Sequence, residues 1–391
     1  MRVLHFAESF SPTSETFIYD YVTELERQGV NNHVVTFRRL NEEDRPFSKV
    51  HVVDRPGRWH PRRLWHRSLV PFGVGKARTS DWPLVRDRLS AVARKVEPDV
   101  IHAHFGPAAV LIADVATRLD ISLITTFYGY DISSLPFEDF WRRHYAKLWS
   151  ATDAVTVLSE EMQSKAIKLG CTRDKLNVVH LSRDLSQFEY RPPSPPVRNV
   201  LFVGRLVAKK APLDAVQAVE RANVKGANLH LDLIGDGELR ADIEQYIRDN
   251  NLAKFITVHG RLPNRDVQQW MRDADVFLLP SKTAPNGDRE GTPTVLVEAQ
   301  AVGLPCVSTY HAGIPEMLPE ENRELLTDEG DIEGQASQLC KLQTLNASVF
   351  KKIAMRGRNM VEEKFSLTRE VRALAELYDN ISDSAPVHGN E

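Results

Sequence analysis

Gly287-Asp-Arg-Glu-Gly-Thr-Pro-Thr-Val-Leu-Val-Glu-Ala-Gln-Ala-Val-Gly-Leu-Pro305 is the stretch on which the reading of this chain turns. Its centre, Gly-Thr-Pro, reads as a loop passing into a helix: Thr292 has the side chain of an N-cap, and Pro293 suits the first helical position. A helix start presents unpaired backbone N–H groups and the positive end of the macrodipole, so it attracts phosphate and sugar oxygens. Glu290 is expected just before that start and Glu298 about two turns inside it. Both carboxylates then face a ligand at the helix mouth, where a charged acceptor on a neutral hydroxyl makes a strong, directional bond. Strand-like runs flank the unit, Asp275-Val-Phe-Leu-Leu-Pro-Ser281 before it and Gly303-Leu-Pro-Cys-Val-Ser-Thr309 after it. A charged loop at the carboxyl end of a strand is where open α/β sheets bind ligands.

The rest of the chain repeats this alternation. Val3–Ala7, His33–Phe37, Asp99–His104, Leu123–Phe127 and Ala154–Leu158 read as strands, with helical spacing between them, as from Glu15 to Gln28 before Gly29. Tyr190-Arg-Pro-Pro-Ser-Pro-Pro196 can form neither helix nor central strand and reads as a linker. The pattern then restarts with Asn199–Val203, His230–Ile234 and Ile256–Val258. Strands alternating with helices imply parallel sheets wrapped by helices. The expected fold class is therefore α/β, with two doubly wound, Rossmann-like domains facing across a cleft, a usual place for a ligand. The expected limits are 1–190 for an acceptor domain, 197–365 for a donor domain, 366–381 for a C-terminal helix packing back on the first domain, and 382–391 for a disordered tail.

Composition narrows the function classes. With 391 residues, 42% hydrophobic and 26% charged, the chain suits two soluble domains. A net charge of −3 gives no global reason to bind nucleic acid. Cys171, Cys306 and Cys340 lack metal spacing, which implies a reduced compartment and no zinc site. The N-terminus lacks the apolar core of a signal peptide, and no run approaches the ~18 apolar residues of a membrane span. A cytoplasmic location is expected, with peripheral membrane contact open.

Cations supply the next signal. Gly204-Arg-Leu-Val-Ala-Lys-Lys210 follows the first strand of the second half, where Arg205 can grip a diphosphate bidentately and Lys210 can act as a point charge. Gly235-Asp-Gly-Glu-Leu239 ends the next strand, and its glycines permit a tight turn and close backbone approach. Asp273-Ala-Asp275 reads as the end of a helix rather than as a metal motif, so no metal is expected.

Gly204-Arg-Leu with Lys210, Gly235-Asp-Gly, Pro280-Ser281, Glu290-Gly with Glu298-Ala, and Gly313-Ile-Pro-Glu316 stand in the order and spacing of a known family. The chain resembles the retaining nucleotide-sugar glycosyltransferases of family four, which have the GT-B fold of two Rossmann-like domains. The resemblance implies that Arg205 and Lys210 bind the diphosphate, that Glu298 holds the ribose hydroxyls, and that Gly204 and Gly235 belong to the same donor site. It also implies that Glu290 and the backbone from Gly291, Thr292, Pro293 and Thr294 hold the donor sugar. The first half carries Ser9-Phe-Ser-Pro-Thr-Ser-Glu-Thr-Phe17, resembling the version found in transferases for colanic acid and other exopolysaccharides. The helix start near Ser14 then offers N–H donors to the ligand. Tyr128-Gly-Tyr-Asp131 stands where relatives have His-Gly-x-Asp. Asp131 is retained, Tyr128 replaces the histidine that contacts the donor sugar, and His104, at a strand end, is an alternative histidine. The expected catalytic set is Asp131, Tyr128, His104, Glu290, Arg205 and Lys210. Retention is implied through same-face attack, the leaving phosphate helping to deprotonate the acceptor hydroxyl.

One further run is basic and aromatic. Arg55 to Arg78 holds Arg55, Arg58, Arg62, Arg63, Arg67, Lys76 and Arg78 with Trp59, Trp65 and Phe72, and no Asp or Glu. Such a segment suits an anionic membrane surface or a lipid-diphosphate acceptor, and Phe140–Trp149 offers a second run of the same kind. The expected function is transfer of a hexose from a nucleotide-diphosphate sugar, UDP- or GDP-linked, to a saccharide or lipid-linked acceptor in bacterial surface polysaccharide synthesis. No other cofactor is expected. The rivals are a non-catalytic nucleotide-sugar binder and a nucleotide-sugar epimerase. A dehydrogenase would want an intact Gly-x-Gly-x-x-Gly, and here Arg240 occupies its last position.

Overall fold

The computed structural model describes residues 1–12, 16–57, 59, 61, 64 and 79–384. Ser14 and most of the basic–aromatic run, including Arg58, Arg62, Arg63, Trp65, Arg67, Phe72, Lys76 and Arg78, lie outside the described residues.

The chain forms two compact units. The first comprises residues 1–157, 163–179 and those from 371 on, and the second comprises 158–162 and 180–370. The first is built on a parallel sheet of β1 (Arg2–Phe10), β2 (Asn31–Arg39), β3 (Val50–Val52), β4 (Val100–His104), β5 (Ser122–Thr126), β6 (Ala154–Val157) and β7 (Leu176–Val178). Its spatial order is β3-β2-β1-β4-β5-β6-β7. The second holds β8 (Asn199–Val203), β9 (His230–Ile234), β10 (Ile256–Gly260), β11 (Val276–Leu279), β12 (Cys306–Thr309) and β13 (Leu326–Thr327), in the order β10-β9-β8-β11-β12-β13. Central strands such as β4, β6 and β11 are buried at every residue. That is why they read as apolar runs rather than alternations: helices cover both faces of a parallel sheet. Around β8 and β11, Leu201, Phe202, Val216, Val219, Phe277, Leu296 and Val307 form the core of the second unit.

In both sheets the strand order reverses beside the first strand, between β1 and β4 and between β8 and β11. Loops leaving the carboxyl ends of strands at such a point splay apart and leave room for a ligand.

Three expectations change. The limit near residue 190 moves back to 179, because the proline run is pinned to the second unit. The Arg191 N–H donates to the Val302 carbonyl (2.9 Å), and Arg358 donates to the Phe188 carbonyl (2.9 Å). The helix after Pro293 spans Thr294–Val302 with Pro293 at the N-cap position, so Thr292 does not cap it. Glu298 consequently lies four residues from the helix start (298 − 294 = 4), about one turn inside rather than two. Finally, the aromatics of the second basic run point inward. Trp141, Tyr145 and Trp149 are buried on the Asp139–Ala151 helix while Arg142, Arg143 and Lys147 are exposed, which is an ordinary amphipathic helix.

Candidate active site

In the second unit, β8 delivers Gly204–Lys210 and β11 delivers the loop from Pro280 to Pro293 to the same sheet edge. The neighbouring β9 exit packs so closely on the β8 exit that it requires glycine. Gly235 has φ +145°, and a Cβ there would fall 1.8 Å from the Gly204 carbonyl oxygen. Lys210 Nζ meets Glu290 Oε1 at 3.1 Å, with side chains only 12% and 7% exposed. Burial pushes the Glu290 carboxyl up, but the Lys210 and Lys209 ammonium groups outweigh it and hold the group below the ordinary carboxylate range. Burial also lowers Lys210, and Glu290 only partly restores it. Lys209, missed in the sequence reading despite standing next to Lys210, pairs with Asp288 at 3.1 Å. Arg205 is exposed and makes no ion pair with a described residue.

Glu298 meets a different cation from Glu290, namely Arg183 (Nε–Oε1 2.8 Å). Nothing in Ser182-Arg-Asp184 marks Arg183 in sequence, since the contact is purely tertiary. The backbone between the two glutamates is open to a ligand. Among the described residues the amides of Gly291, Thr292 and Thr294 have no backbone acceptor, and Thr292 Oγ1 and Ser281 Oγ are buried without a hydrogen-bond partner. Pro293, placed with these donors by the family pattern, has no N–H to give.

His311 ties this loop down. Its Nε2 accepts the Glu290 N–H at 3.1 Å, and its Nδ1 lies 2.5 Å from Glu329 Oε1. Glu329 in turn accepts the Thr283 N–H at 2.8 Å. The position just before Ala312-Gly-Ile-Pro-Glu316 was the available sequence signal. Glu316 itself accepts the N–H groups of Glu160 and Glu161 (2.8 and 3.0 Å), capping the helix that starts there. Asp275 accepts the amides of Arg198 and Asn199 (both 2.8 Å), so its carboxylate fastens the β8 entry.

In the first unit, β1 and β4 bring His5, His102 and His104 together, all buried, with ligating atoms within 4.8 Å of one another. Each ring nitrogen already has a hydrogen-bond partner. His102 lies 2.6 Å from both the Tyr378 hydroxyl and Thr126 Oγ1. The other two rings form a directed chain. Asn32 Nδ2 donates to the carbonyls of Val22 and Val30, which leaves its Oδ1 as acceptor for His5 Nε2–H (3.0 Å). His5 Nδ1 must then accept from His104 Nε2–H (3.1 Å), and His104 Nδ1 accepts from the Tyr128 hydroxyl (2.7 Å). Burial holds His5 down to about 4 and pushes His102 and His104 well below the usual imidazole range, so the chain is neutral at pH 7. His104 and Tyr128 thus come together, with His5 and Asn32 as partners that the sequence reading missed. The signal was His102 and His104 two apart, on one face of one strand.

Asp131 is fully buried. One carboxylate oxygen accepts from the Tyr128 and Gly129 amides (3.0 and 2.9 Å), and the other accepts from the Gly106 amide at the next helix start (3.1 Å). Burial raises it to about 6 against the pull of those three amides. Its geometry is that of a loop-holding residue: it shapes the turn that carries Tyr128.

Comparison with known proteins gives these features a context. Residues 14–187 match the family described as Glycosyltransferase Family 4, and residues 197–344 match Glycosyl transferases group 1. WcaL of Escherichia coli (strain K12), provisionally named a colanic acid biosynthesis glycosyltransferase, is 30% identical over 96% of this chain and 99% of its own. The chain belongs to the family 4 glycosyltransferases. The amylovoran biosynthesis glycosyltransferase AmsK of Erwinia amylovora is 29% identical to the transferase over 98% of this chain and 100% of its own. Anabaena HepE, solved with UDP and glucose, shares the fold with a TM-score of 0.76 at 19% identity, covering 97% of this chain and 100% of that one. The two Rossmann-like domains are those of the GT-B architecture, and family membership sets the epimerase alternative aside. Among the described residues no helix is long and apolar enough to cross a membrane.

Proposed function

We propose that this glycosyltransferase moves a hexose, with retention and without a divalent metal, from a nucleotide-diphosphate sugar to a saccharide or lipid-linked saccharide of a bacterial surface polysaccharide. The observation that carries the reading is the buried Lys210–Glu290 pair at the β8–β11 switch point, flanked by Lys209 and Arg205 and by unpaired backbone donors. Lys210, Lys209 and Arg205 take the charge that grows on the departing diphosphate, supplying from side chains what a metal would otherwise supply. Glu298, oriented by Arg183, accepts the ribose hydroxyls. Glu290 and the amides of Gly291, Thr292 and Thr294 hold the hexose. As the bond from the anomeric carbon to phosphate breaks, the acceptor oxygen bonds that carbon on the same face and its proton passes to the leaving phosphate. Asp131 and His104 act through Tyr128, whose loop and hydroxyl they fix. The names of AmsK and WcaL support an exopolysaccharide product, and HepE's UDP supports a uridine donor, with a GDP-sugar as the second candidate. The basic–aromatic run would hold the enzyme at the inner membrane surface.

The test is turnover of UDP-, GDP- and ADP-hexoses with a saccharide-diphosphate-lipid acceptor, in EDTA, with the product anomer read by NMR. Release of nucleoside diphosphate that depends on acceptor is expected, with the donor's anomeric configuration preserved. An inverted product refutes retention, and turnover restored only by magnesium or manganese refutes metal independence. Binding of a donor without turnover on any acceptor would instead favour a sugar-nucleotide binder.

A further inference from the structure

We propose that His311 is a positioning residue for the donor loop: as a neutral hydrogen-bond acceptor it holds the Glu290 backbone in place, and protonation of its ring releases that loop. The proposal rests on the reading of the second unit as the sugar-nucleotide site.

The geometry allows one protonation state. A backbone N–H can only donate, so the 3.1 Å contact from Glu290 N obliges His311 Nε2 to carry a lone pair. The proton then sits on Nδ1, where Glu329 Oε1 receives it at 2.5 Å. Glu329 is itself held by the Thr283 N–H (2.8 Å) and hydroxyl (3.2 Å), so the ring is fixed from both sides. His311 is fully buried and cannot swing out to find water. The ring therefore joins three segments: the start of the β11 loop at Thr283, its far end at Glu290, and Glu329 beyond β13. The Glu290 side chain continues the path to Lys210. Adding a proton at Nε2 sets two donors head to head inside the protein. The Glu290 amide must move away, and the carboxylate that faces the sugar moves with it.

Among the described residues, Glu329, Glu290 and Arg289 are the charged groups that act on the ring. Glu329 and Glu290 favour the charged form, whereas Arg289, with Nη2 4.0 Å from Glu329, opposes it. Burial is the largest influence, and His311 titrates below the ordinary imidazole range. The loop is thus set at neutral pH and loosens in acid.

Two measurements judge the proposal. Nitrogen-15 NMR of the imidazoles, with His311 assigned by its loss in His311→Gln, should show a protonated Nδ1 and a bare Nε2 at neutral pH. The opposite tautomer overturns the proposal without any ligand. Calorimetry then follows UDP-glucose, GDP-mannose and ADP-glucose from about pH 8 to pH 5. Sugar nucleotides are used because a terminal phosphate would itself titrate near pH 6. Wild-type affinity should fall about tenfold in acid, the size of one buried hydrogen bond lost. His311→Gln, whose carbonyl can accept the Glu290 amide but cannot gain a proton, should bind nearly as well at pH 8 and stay flat. His311→Phe should bind about tenfold more weakly at every pH. Parallel profiles in wild type and the Gln variant overturn the proposal. If no sugar nucleotide binds the wild type, the reading of the site fails, while the tautomer still decides His311's state.

Discussion

Removing Lys210 should damage stability as well as chemistry, and the size of the effect follows from its surroundings. Lys210 Nζ and Glu290 Oε1 are 3.1 Å apart, with side chains 12% and 7% exposed. At an effective dielectric of about 20 their attraction is roughly 5 kcal/mol, against which both groups have lost most of their hydration. Lys210→Met therefore leaves a carboxylate buried without its counter-charge, which costs about 3–5 kcal/mol. For a unit of this size, that lowers the melting temperature by roughly 6–20 °C. Glu290→Gln strands the ammonium in the same way. The double variant leaves no charge behind, so its loss should fall short of the summed single losses by about 2 kcal/mol or more. Arg205→Met is the control, because Arg205 is exposed and should shift stability by no more than about 0.5 kcal/mol. Scanning calorimetry that resolves the two units' transitions gives all four values. Additive single losses, within about 0.5 kcal/mol, would show that the pair contributes nothing as a pair and would sink the reasoning.

Acid should destabilise the first unit. His5 sits at about 4 in the fold against its ordinary 6.5, so its contribution is complete above pH 6.5 and is lost as pH falls to about 4, roughly 3 kcal/mol in all. His102 and His104 act in the same direction, while Asp131, raised from 3.8 to about 6, offsets part of the loss because it loses stability as pH rises through that window. A melting temperature for this unit that rises from pH 6.5 to 4.5 would contradict the buried, neutral chain. Glu298→Ala and Arg183→Ala should each weaken UDP binding by roughly 1.5–3 kcal/mol, read by calorimetry, and unchanged affinity would remove Glu298 from the ribose. Neutralising Arg62, Arg63 and Arg67 together should reduce sedimentation with anionic vesicles about a hundredfold, at about 1 kcal/mol per charge. Equal sedimentation would leave that run a solvated loop.

The strands that sequence reading finds are those whose cause is local. Val100–His104 and Val276–Leu279 are buried on both faces, and continuous apolar composition records that directly. Val50–Val52, Leu176–Val178 and Leu326–Thr327 escape it, because strands of two or three residues at or near a sheet edge exist only through their neighbours. The site divides in the same way. Lys210 and Glu290 stand in motifs that loop geometry imposes, so their types and spacing are readable. Arg183 and Glu329 carry no local mark: each is chosen by a partner that only folding brings near, Glu298 for one and His311 for the other. Thr292 was misread as a cap because its side chain and spacing fit the rule, while the helix in fact begins two residues later.

The bond between His102 and Tyr378 has a consequence for how the protein is made. It closes the first unit with residues translated after the whole of the second, whereas residues 180–370 of the second unit form one unbroken stretch. The second unit can thus complete its core while the first still waits for the helix that carries Tyr378. Until that helix arrives, the neutral histidines beneath it lie uncovered. A stop codon shortly before Tyr378 should therefore spare the second unit and cripple the first, most of which was synthesised earlier.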